Sequence, residues 1–192
     1  MSSNKWAKNV ILVDAVFLDK MGYIFRSNYE RLLKRNVNKA DLAIWLESAM
    51  LDGGLRVGDN TVQVVVLFDE NAEGFDNFLP SDFNKELNGK GFKGPLGEFR
   101  LAAFPAFSKV VSLKSFFLQT LENILHAEEV ERLVVVGDDE EYGEEIADRL
   151  TKNQDKKVTI LTTAPIEGEG FKQDLLGYSL TRALGISPDE MQ

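Results

Sequence analysis

The sequence predicts a three-layer α/β/α domain with a central, mainly parallel sheet of about five strands, and three observations lead to this fold class. Apolar β-branched runs such as residues 10–13 and 133–136 lack polar alternation, which is typical of strands covered on both faces. Amphipathic helical patterns lie between these runs, so strands and helices alternate. No linker or repeat divides the chain, so residues 1–192 are predicted to form one domain.

Four strong strands and one shorter strand are predicted from apolar, β-prone runs. They are expected at 9–14, 61–69, 133–136 and 157–162, with the shorter strand at 99–104.

The predicted helices begin at side chains that can accept a hydrogen bond from a free backbone N–H. Ser27, with Glu30 three residues later, predicts a capping box for a helix over 27–35. Asn38 is the expected cap of the next helix, which Gly53 and Gly54 end. Further helices are expected from Ser112 to His126, after the Gly-Asp-Asp corner at 137–139, and over 171–184 as a C-terminal helical tail at about 171–192.

An insert at about 70–107 differs from the rest of the chain. It contains seven of the thirteen phenylalanines together with many glycines and prolines. Apart from 99–104 it shows no regular pattern, so we expect a long irregular segment that its own rings pack. Rings that stay exposed and stack on nucleic-acid bases are the alternative.

The composition indicates a cytoplasmic protein without a membrane segment. The chain has no cysteine, which excludes disulfides and thiolate metal sites, and no apolar stretch spans a bilayer or resembles a signal peptide. The net charge of −9 disfavours non-specific nucleic-acid binding. Basic residues are concentrated near the N-terminus, and the region 20–39 is a candidate contact for RNA. Alternatively, these cations belong to solvated helix faces.

Aspartates follow several predicted strands. Asp14, Asp69, Asp138 and Asp139 all fall where a strand ends. The carboxyl ends of parallel strands share one edge of the sheet, where ligands bind in open α/β folds. Carboxylates held together raise one another's pKa unless a cation neutralises them, and oxygen ligands suit Mg²⁺ or Mn²⁺. The pattern therefore predicts a metal-dependent hydrolase of phosphodiester bonds.

A structural interpretation of the same acids stays open. Asp138 with Glu141 has the spacing of a capping box, and Asp69 is suited to begin a turn. Asp41 is explained by the dipole of the helix that it precedes.

Two segments, VILVDAVF at 10–17 and VVVGDDEEYGEEIADRL at 134–150, resemble the first and last motifs of the NYN branch of the PIN-like nuclease superfamily. The resemblance implies a parallel α/β/α sheet and acids that bind Mg²⁺ or Mn²⁺ for RNA cleavage. It implies Asp14 and Asp138 as metal-binding acids, with Asp139 or Glu140 as the second acid of the last motif.

The sequence departs from the family pattern at three places. Val16 stands where the family often has Asn, and in the last motif Glu140 replaces the second Asp and Glu141 replaces the Phe. The helix 112–126 offers only Glu122 toward the site. In an active member, Asp14, Asp138 and Asp139 are the expected catalytic acids, and Glu140 and Glu122 are further candidates for the metal shell or for positioning water.

The alternative function is a non-catalytic interaction module on the same scaffold. Its carboxylates would cap helices and turns. The Phe-rich segment 75–107 or the tail 171–192 would then bind a protein partner or a second copy of the chain.

Overall fold

The computed structural model describes residues 5–152 and 155–192, and it confirms an α/β fold with a mainly parallel central sheet flanked by helices. The sheet has seven strands in the order β5-β6-β3-β1-β7-β8-β9, and β5 alone runs antiparallel to its neighbour. Its strands are β1 (Asn9–Asp14), β3 (Asn60–Asp69), β5 (Gly91–Gly94), β6 (Gly97–Ala106), β7 (Arg132–Val136), β8 (Lys157–Thr162) and β9 (Lys172–Leu175). Two short strands, β2 (Ala40–Asp41) and β4 (Phe78–Leu79), form a separate pair.

In the described part of the chain, five α-helices cover both faces of the sheet. They are α1 (Ala15–Leu33), α2 (Leu42–Asp52), α3 (Leu113–His126), α4 (Asp139–Thr151) and α5 (Leu176–Ala183). Ile11 of β1 packs beneath α1, α2 and α5, whereas its neighbour Leu12 packs beneath α3 and α4. The apolar run in β1 is thus explained by burial on both faces. Within the described residues, no helix is long and apolar enough to cross a membrane.

The direction in which the chain winds reverses between β1 and β7. From β1 the chain passes through α1 and α2 to β3 on one side, whereas from β7 it passes through α4 to β8 on the other side. The crossover helices of these two units lie on opposite faces of the sheet. The crevice between the carboxyl ends of β1 and β7 is therefore the topological switch point, where open α/β sheets bind ligands.

The first helix is much longer than predicted. It begins at Ala15, directly after β1, because Asp14 is its N-cap and accepts a hydrogen bond from the Phe17 N–H at 3.1 Å. The predicted cap at Ser27 was wrong, since Ser27 lies inside α1. Gly22, which lies inside α1, made this helix hard to recognise in the sequence. A Cβ there would lie 2.8 Å from the ring of Phe78, so this glycine permits a close packing contact.

The other helix starts mostly follow the sequence. Asp41, rather than Asn38, caps α2 and accepts from the Ile44 N–H at 3.0 Å. Gly53 is the C-cap of α2, as predicted. Ser112 caps α3 as predicted, with the Ser115 N–H donating at 3.1 Å.

The insert at 70–107 is more regular than predicted. The expectation of a largely irregular segment was wrong, because β6 runs for ten residues beside β3 and β5 pairs with it in turn. The predicted packing of its rings is largely confirmed. Phe75, Phe78, Phe83 and Phe99 are buried, and Phe83 stacks on Phe68 with ring centroids 4.3 Å apart. Phe104 and Phe107 are the exceptions and remain exposed.

The C-terminal tail does not form the single helix predicted over 171–184. Its first part is strand β9, and α5 begins only at Leu176. The side chain of Gln173 bonds both the N–H and the C=O of Ile166, at 2.8 and 2.9 Å, which ties β9 to the preceding loop. The predicted terminal turn is present as a short 3₁₀ helix, Pro188–Met191, with a capping box between Ser187 and Glu190.

Asp19 of α1 anchors the insert to the sheet domain. Its carboxylate accepts hydrogen bonds from the backbone N–H of Asp76 and of Asn77, at 3.0 and 2.9 Å, and from the side chain of the buried Asn77. Hydrogen bonds to a charged group contribute more than neutral ones.

We therefore expect Asp19→Ala to lower the free energy of unfolding by about 2 kcal/mol and to speed amide exchange at Asp76 and Asn77. Denaturant unfolding and hydrogen exchange measure these effects. The matched control is Asp59→Ala, at an exposed loop position that forms no hydrogen bond within the described residues. Equal stability of the two variants would contradict the anchoring role.

Candidate functional site

Asp14 is the last residue of β1, at the switch point between β1 and β7. Its side chain is buried, with 4% of its surface exposed. One carboxylate oxygen accepts the Phe17 N–H at 3.1 Å, and the other accepts the O–H of Tyr142, from α4, at 2.5 Å. Both oxygens of the predicted catalytic acid therefore have donors from its own chain.

Burial raises the pKa of Asp14, and the two hydrogen bonds oppose this rise because they favour the carboxylate. The negative charge of Asp138 raises the pKa of Asp14 further, so the two carboxyl groups are close enough to interact. Burial and the charge of Asp14 also raise the pKa of the Tyr142 phenol. Tyr142 therefore stays protonated and donates to Asp14 throughout the physiological range.

The last motif serves mainly as a cap and an anchor. Asp138 is the N-cap of α4 and accepts the Glu141 N–H at 3.1 Å, as the structural interpretation predicts. Asp139 bonds to the residue that follows β8. One of its oxygens accepts from the N–H and the hydroxyl of Thr163, at 3.0 and 2.8 Å, while the other is buried without a hydrogen-bond partner.

The remaining candidates, Glu140 and Glu122, form no hydrogen bond with Asp14 or Asp138 among the described residues. Glu140 is exposed on the first turn of α4 and forms no hydrogen bond with the described residues. Glu122 forms an ion pair with Arg149 at 3.0 Å, which links α3 to α4. The structure thus brings Asp14 and Asp138 close enough to interact, whereas Asp139 and Glu122 bond to Thr163 and Arg149.

The arrangement does not fit a bound Mg²⁺ or Mn²⁺. In the described part of the chain, no three carboxylate or imidazole side chains are grouped so as to hold a metal ion. Phe17 and Tyr142 donate to the two oxygens of Asp14, and Glu141 donates to one oxygen of Asp138. These two carboxylates alone would have to supply the protein ligands of an ion, which is fewer than Mg²⁺ or Mn²⁺ coordinates.

Other acids at this edge also satisfy backbone donors. Asp69 accepts the Asn71 N–H at 2.8 Å, so it begins a turn as the structural interpretation predicts. Glu70 accepts the N–H and hydroxyl of Ser108, at 3.0 and 2.6 Å, and so joins the loops that follow β3 and β6. Asp14, Asp138, Asp69 and Glu70 thus satisfy helix N-termini and turns of the fold.

The sequence places Tyr142 in a helical pattern with Ile146 and Leu150, and this pattern gives it no polar role. Its φ and ψ of −139° and 29° interrupt the helical geometry of α4 where its side chain reaches Asp14. The signal that could have revealed this role is a tyrosine, whose polar tip needs a partner when buried, four residues after an N-cap aspartate.

An apolar groove of about 510 Å³ lies between α1 and α5, and we call it the α1/α5 groove. Its walls include Met21, Phe25 and Tyr29 from α1 and Leu175, Tyr178 and Met191 from the tail. Sequence reasoning missed its first wall because it placed the start of α1 too late. The spacing of Met21, Phe25 and Tyr29, each four residues from the last, is the helical signal that could have found it.

We expect Tyr142→Phe to lower the free energy of unfolding by about 1–3 kcal/mol at neutral pH, because a buried carboxylate loses a donor. The pKa of Asp14 is already raised above its unfolded value of 3.8, so the folded state retains a proton that the unfolded state loses, and stability falls as pH rises through that interval. The substitution raises this pKa further. The difference between variant and wild type should therefore be small in acid and grow toward neutral pH.

Denaturant unfolding at a series of pH values measures this dependence. The control is Tyr178→Phe, because the ring of Tyr178 is 63% exposed. A loss of stability that does not change with pH would show that Tyr142 acts through packing alone.

Comparison with known proteins gives one family match. No curated protein matches the chain, and no solved structure matches it either. A family model of unknown function, DUF6621, matches residues 3–191 and so covers nearly the whole sequence. The chain therefore belongs to the DUF6621 family.

Proposed function

We propose that this chain is a non-catalytic binding module, and that its α1/α5 groove holds an apolar segment of a partner protein. The observation that carries this proposal is the groove itself, which lies open, while Asp14 and Asp138 at the switch point accept hydrogen bonds from their own chain. Of the two segments that the interaction hypothesis names, the tail is favoured over the Phe-rich segment, whose rings are mostly buried.

The residue types of the groove favour a protein partner. Aromatic residues, methionine and arginine are enriched in the cores of protein interfaces, and the groove combines Phe25, Tyr178, Met191 and Arg182. Three apolar side chains on its rim remain substantially exposed: Leu175 at 39%, Tyr178 at 63% and Met191 at 56%. An amphipathic helix that lies in a groove buries such a rim with apolar residues spaced three and four apart.

The packing of α5 against α1 shapes this groove. A Cβ on Gly177 would lie 2.9 Å from two ring atoms of Phe25, so the ring seats directly against the backbone of α5. On the opposite side, the hydroxyls of Tyr29 and Thr181 are hydrogen-bonded at 2.7 Å. These contacts fix the two walls, so a ligand would meet a largely preformed surface.

A library of displayed amphipathic peptides about four helical turns long tests the proposal. We expect the wild type to enrich peptides with apolar residues at positions i, i+3 or i+4, and i+7, and the double variant Leu175→Glu with Tyr178→Glu to lose them, because two carboxylates would then be desolvated in the interface.

The matched control places the same two glutamates at exposed apolar positions elsewhere, Val57 and Val110, which are 74% and 85% exposed. Equal enrichment by both variants, or none by the wild type, would contradict the proposal. Light scattering covers one further outcome, since a dimer that the Leu175 and Tyr178 substitutions dissociate would identify a second copy as the occupant.

The second candidate function is the metal-dependent ribonuclease that the resemblance to NYN/PIN-like domains implies. The observation that favours it is the electrostatic coupling of Asp14 and Asp138 beside the switch point. The present hydrogen bonds of both carboxylates count against it, as does the position of the basic region 20–39. Because α1 rises about 1.5 Å per residue, Arg31 lies about 25 Å along the helix from Asp14.

Several cations of that region are also engaged. Arg26 contacts Glu30 and donates to the carbonyl of Val37, and Arg35 pairs with Glu190 at 2.6 Å. Lys20, one turn into α1, is the cation of the region that lies nearest the crevice along the helix. RNA binding through 20–39 therefore belongs to this second candidate alone. For either function we propose a cytoplasmic location, because a chain without cysteine needs no oxidising compartment to fold.

Labelled single-stranded RNA with Mn²⁺ distinguishes the second candidate from the first. If it holds, the wild type cleaves the RNA and Asp14→Asn abolishes cleavage, whereas the exposed control Asp59→Asn cleaves normally. Intact RNA with the wild type, or cleavage that survives Asp14→Asn, would eliminate the nuclease and leave the binding module.

A further inference from the structure

A second groove, of about 1010 Å³, lies at the amino edge of the sheet, opposite the switch point. We call it the amino-edge groove. Five cations line it, and Asp52 is the one acidic side chain among the described residues that do so. The cations are Arg56, Arg132, Lys156, Lys157 and Lys172. This concentration of positive charge stands out in a chain whose net charge is −9.

The register of the sheet brings three of these cations to one face. Arg132 and Lys157 are direct neighbours on β7 and β8, and Lys172 of β9 is level with Thr159. Val134, two residues beyond Arg132, packs beneath α1, α2 and α5, so the neighbouring pair projects on that same face. The loop after α2 adds Arg56. Like charges on neighbouring strands destabilise each other unless an anion lies between them.

Two of the five cations have a structural role. Arg132 donates to the carbonyl of Gly53 at the end of α2, and Lys156 donates to the carbonyls of Ala127 and Val130 after α3. Such contacts satisfy the partial negative charge at helix C-termini. Arg56, Lys157 and Lys172 are different, because they are exposed and none of the described residues forms an ion pair with them.

We propose that the amino-edge groove binds a small anion that carries a chain of phosphates, such as tripolyphosphate or a nucleoside triphosphate. This inference is independent of the α1/α5 groove. Three unpaired cations supply charge for such a ligand, and Arg132 and Lys156 add to the local positive potential. The volume is at the upper end of the range for small-molecule sites.

A compact anion fits this groove better than a long polyanion. The side chains of β7, β8 and β9 start within two strand spacings, roughly 10 Å, which is comparable with a triphosphate. The net charge of −9 repels an extended nucleic-acid strand that continues beyond the groove. The interpretation that these are simply solvated lysines and arginines leaves unexplained why they share one concave site with a single acid.

Calorimetric titration of the full chain with sodium tripolyphosphate tests the proposal, and ATP in a parallel arm distinguishes a nucleotide from a free phosphate chain. We expect saturable binding by the wild type. The triple variant Arg56→Gln, Lys157→Gln and Lys172→Gln should bind about tenfold more weakly, because three exposed ion pairs are lost. The control Lys20→Gln, Lys39→Gln and Lys109→Gln removes the same charge elsewhere and should bind as the wild type does.

A variant that binds tripolyphosphate more tightly than the wild type gives a test whose result misfolding cannot explain. Asp52→Asn removes the acid of the groove, so it should tighten tripolyphosphate binding severalfold. Absence of saturable binding by the wild type, an equal loss in the control, or unchanged affinity in the triple variant would overturn the proposal. A single-stranded oligonucleotide that binds more tightly than tripolyphosphate would overturn the assignment of a small ligand.

Discussion

The buried carboxylate of Asp14 is the constraint around which the centre of this fold is arranged. A charge with 4% exposure must be matched by donors, and the chain supplies them from both sides of the switch point. Phe17 donates from the first turn of α1, and Tyr142 donates from α4 across the boundary between β1 and β7. The same interaction therefore starts α1 and ties together the two halves of the sheet, whose helices otherwise lie on opposite faces.

This requirement explains why an acidic edge need not be a catalytic edge. In a parallel sheet the carboxyl ends of strands are followed by the N-termini of helices, which carry free N–H groups and a partial positive charge. Asp14 and Asp138 accept hydrogen bonds from the first turns of two such helices, α1 and α4. Asp19 likewise accepts a hydrogen bond from the backbone N–H of Asp76. The fold thus selects aspartate at the same positions where a metal-dependent nuclease would need it. Residue type and position alone do not separate the two roles.

Whether an element or contact can be predicted from the sequence depends on how far apart along the chain the interacting residues lie. The strands β1, β3, β7 and β8 can be recognised from the sequence, because a strand that is buried on both faces has a continuous apolar run. The sequence of β9 carries no such signal, since this strand forms through its pairing with β8. Asp138, in contrast, can be recognised as a helix cap from its spacing to Glu141. The contact between Tyr142 and Asp14 joins residues 128 positions apart, so no local pattern reveals it.

The helix dipoles also give the two edges of the sheet opposite electrostatic requirements, which bears on where a ligand would bind. At the amino edge the ends of α2 and α3 expose carbonyls, and Arg132 and Lys156 neutralise them. Each edge thus has a set of charges that the fold itself demands. Charged groups that have no partner within the fold are therefore the better candidates for binding a ligand. By that criterion Asp14 and Asp138 are accounted for, whereas Arg56, Lys157 and Lys172, which line one groove, are not. The edge opposite the usual ligand site therefore holds the stronger case for recognition of a charged molecule.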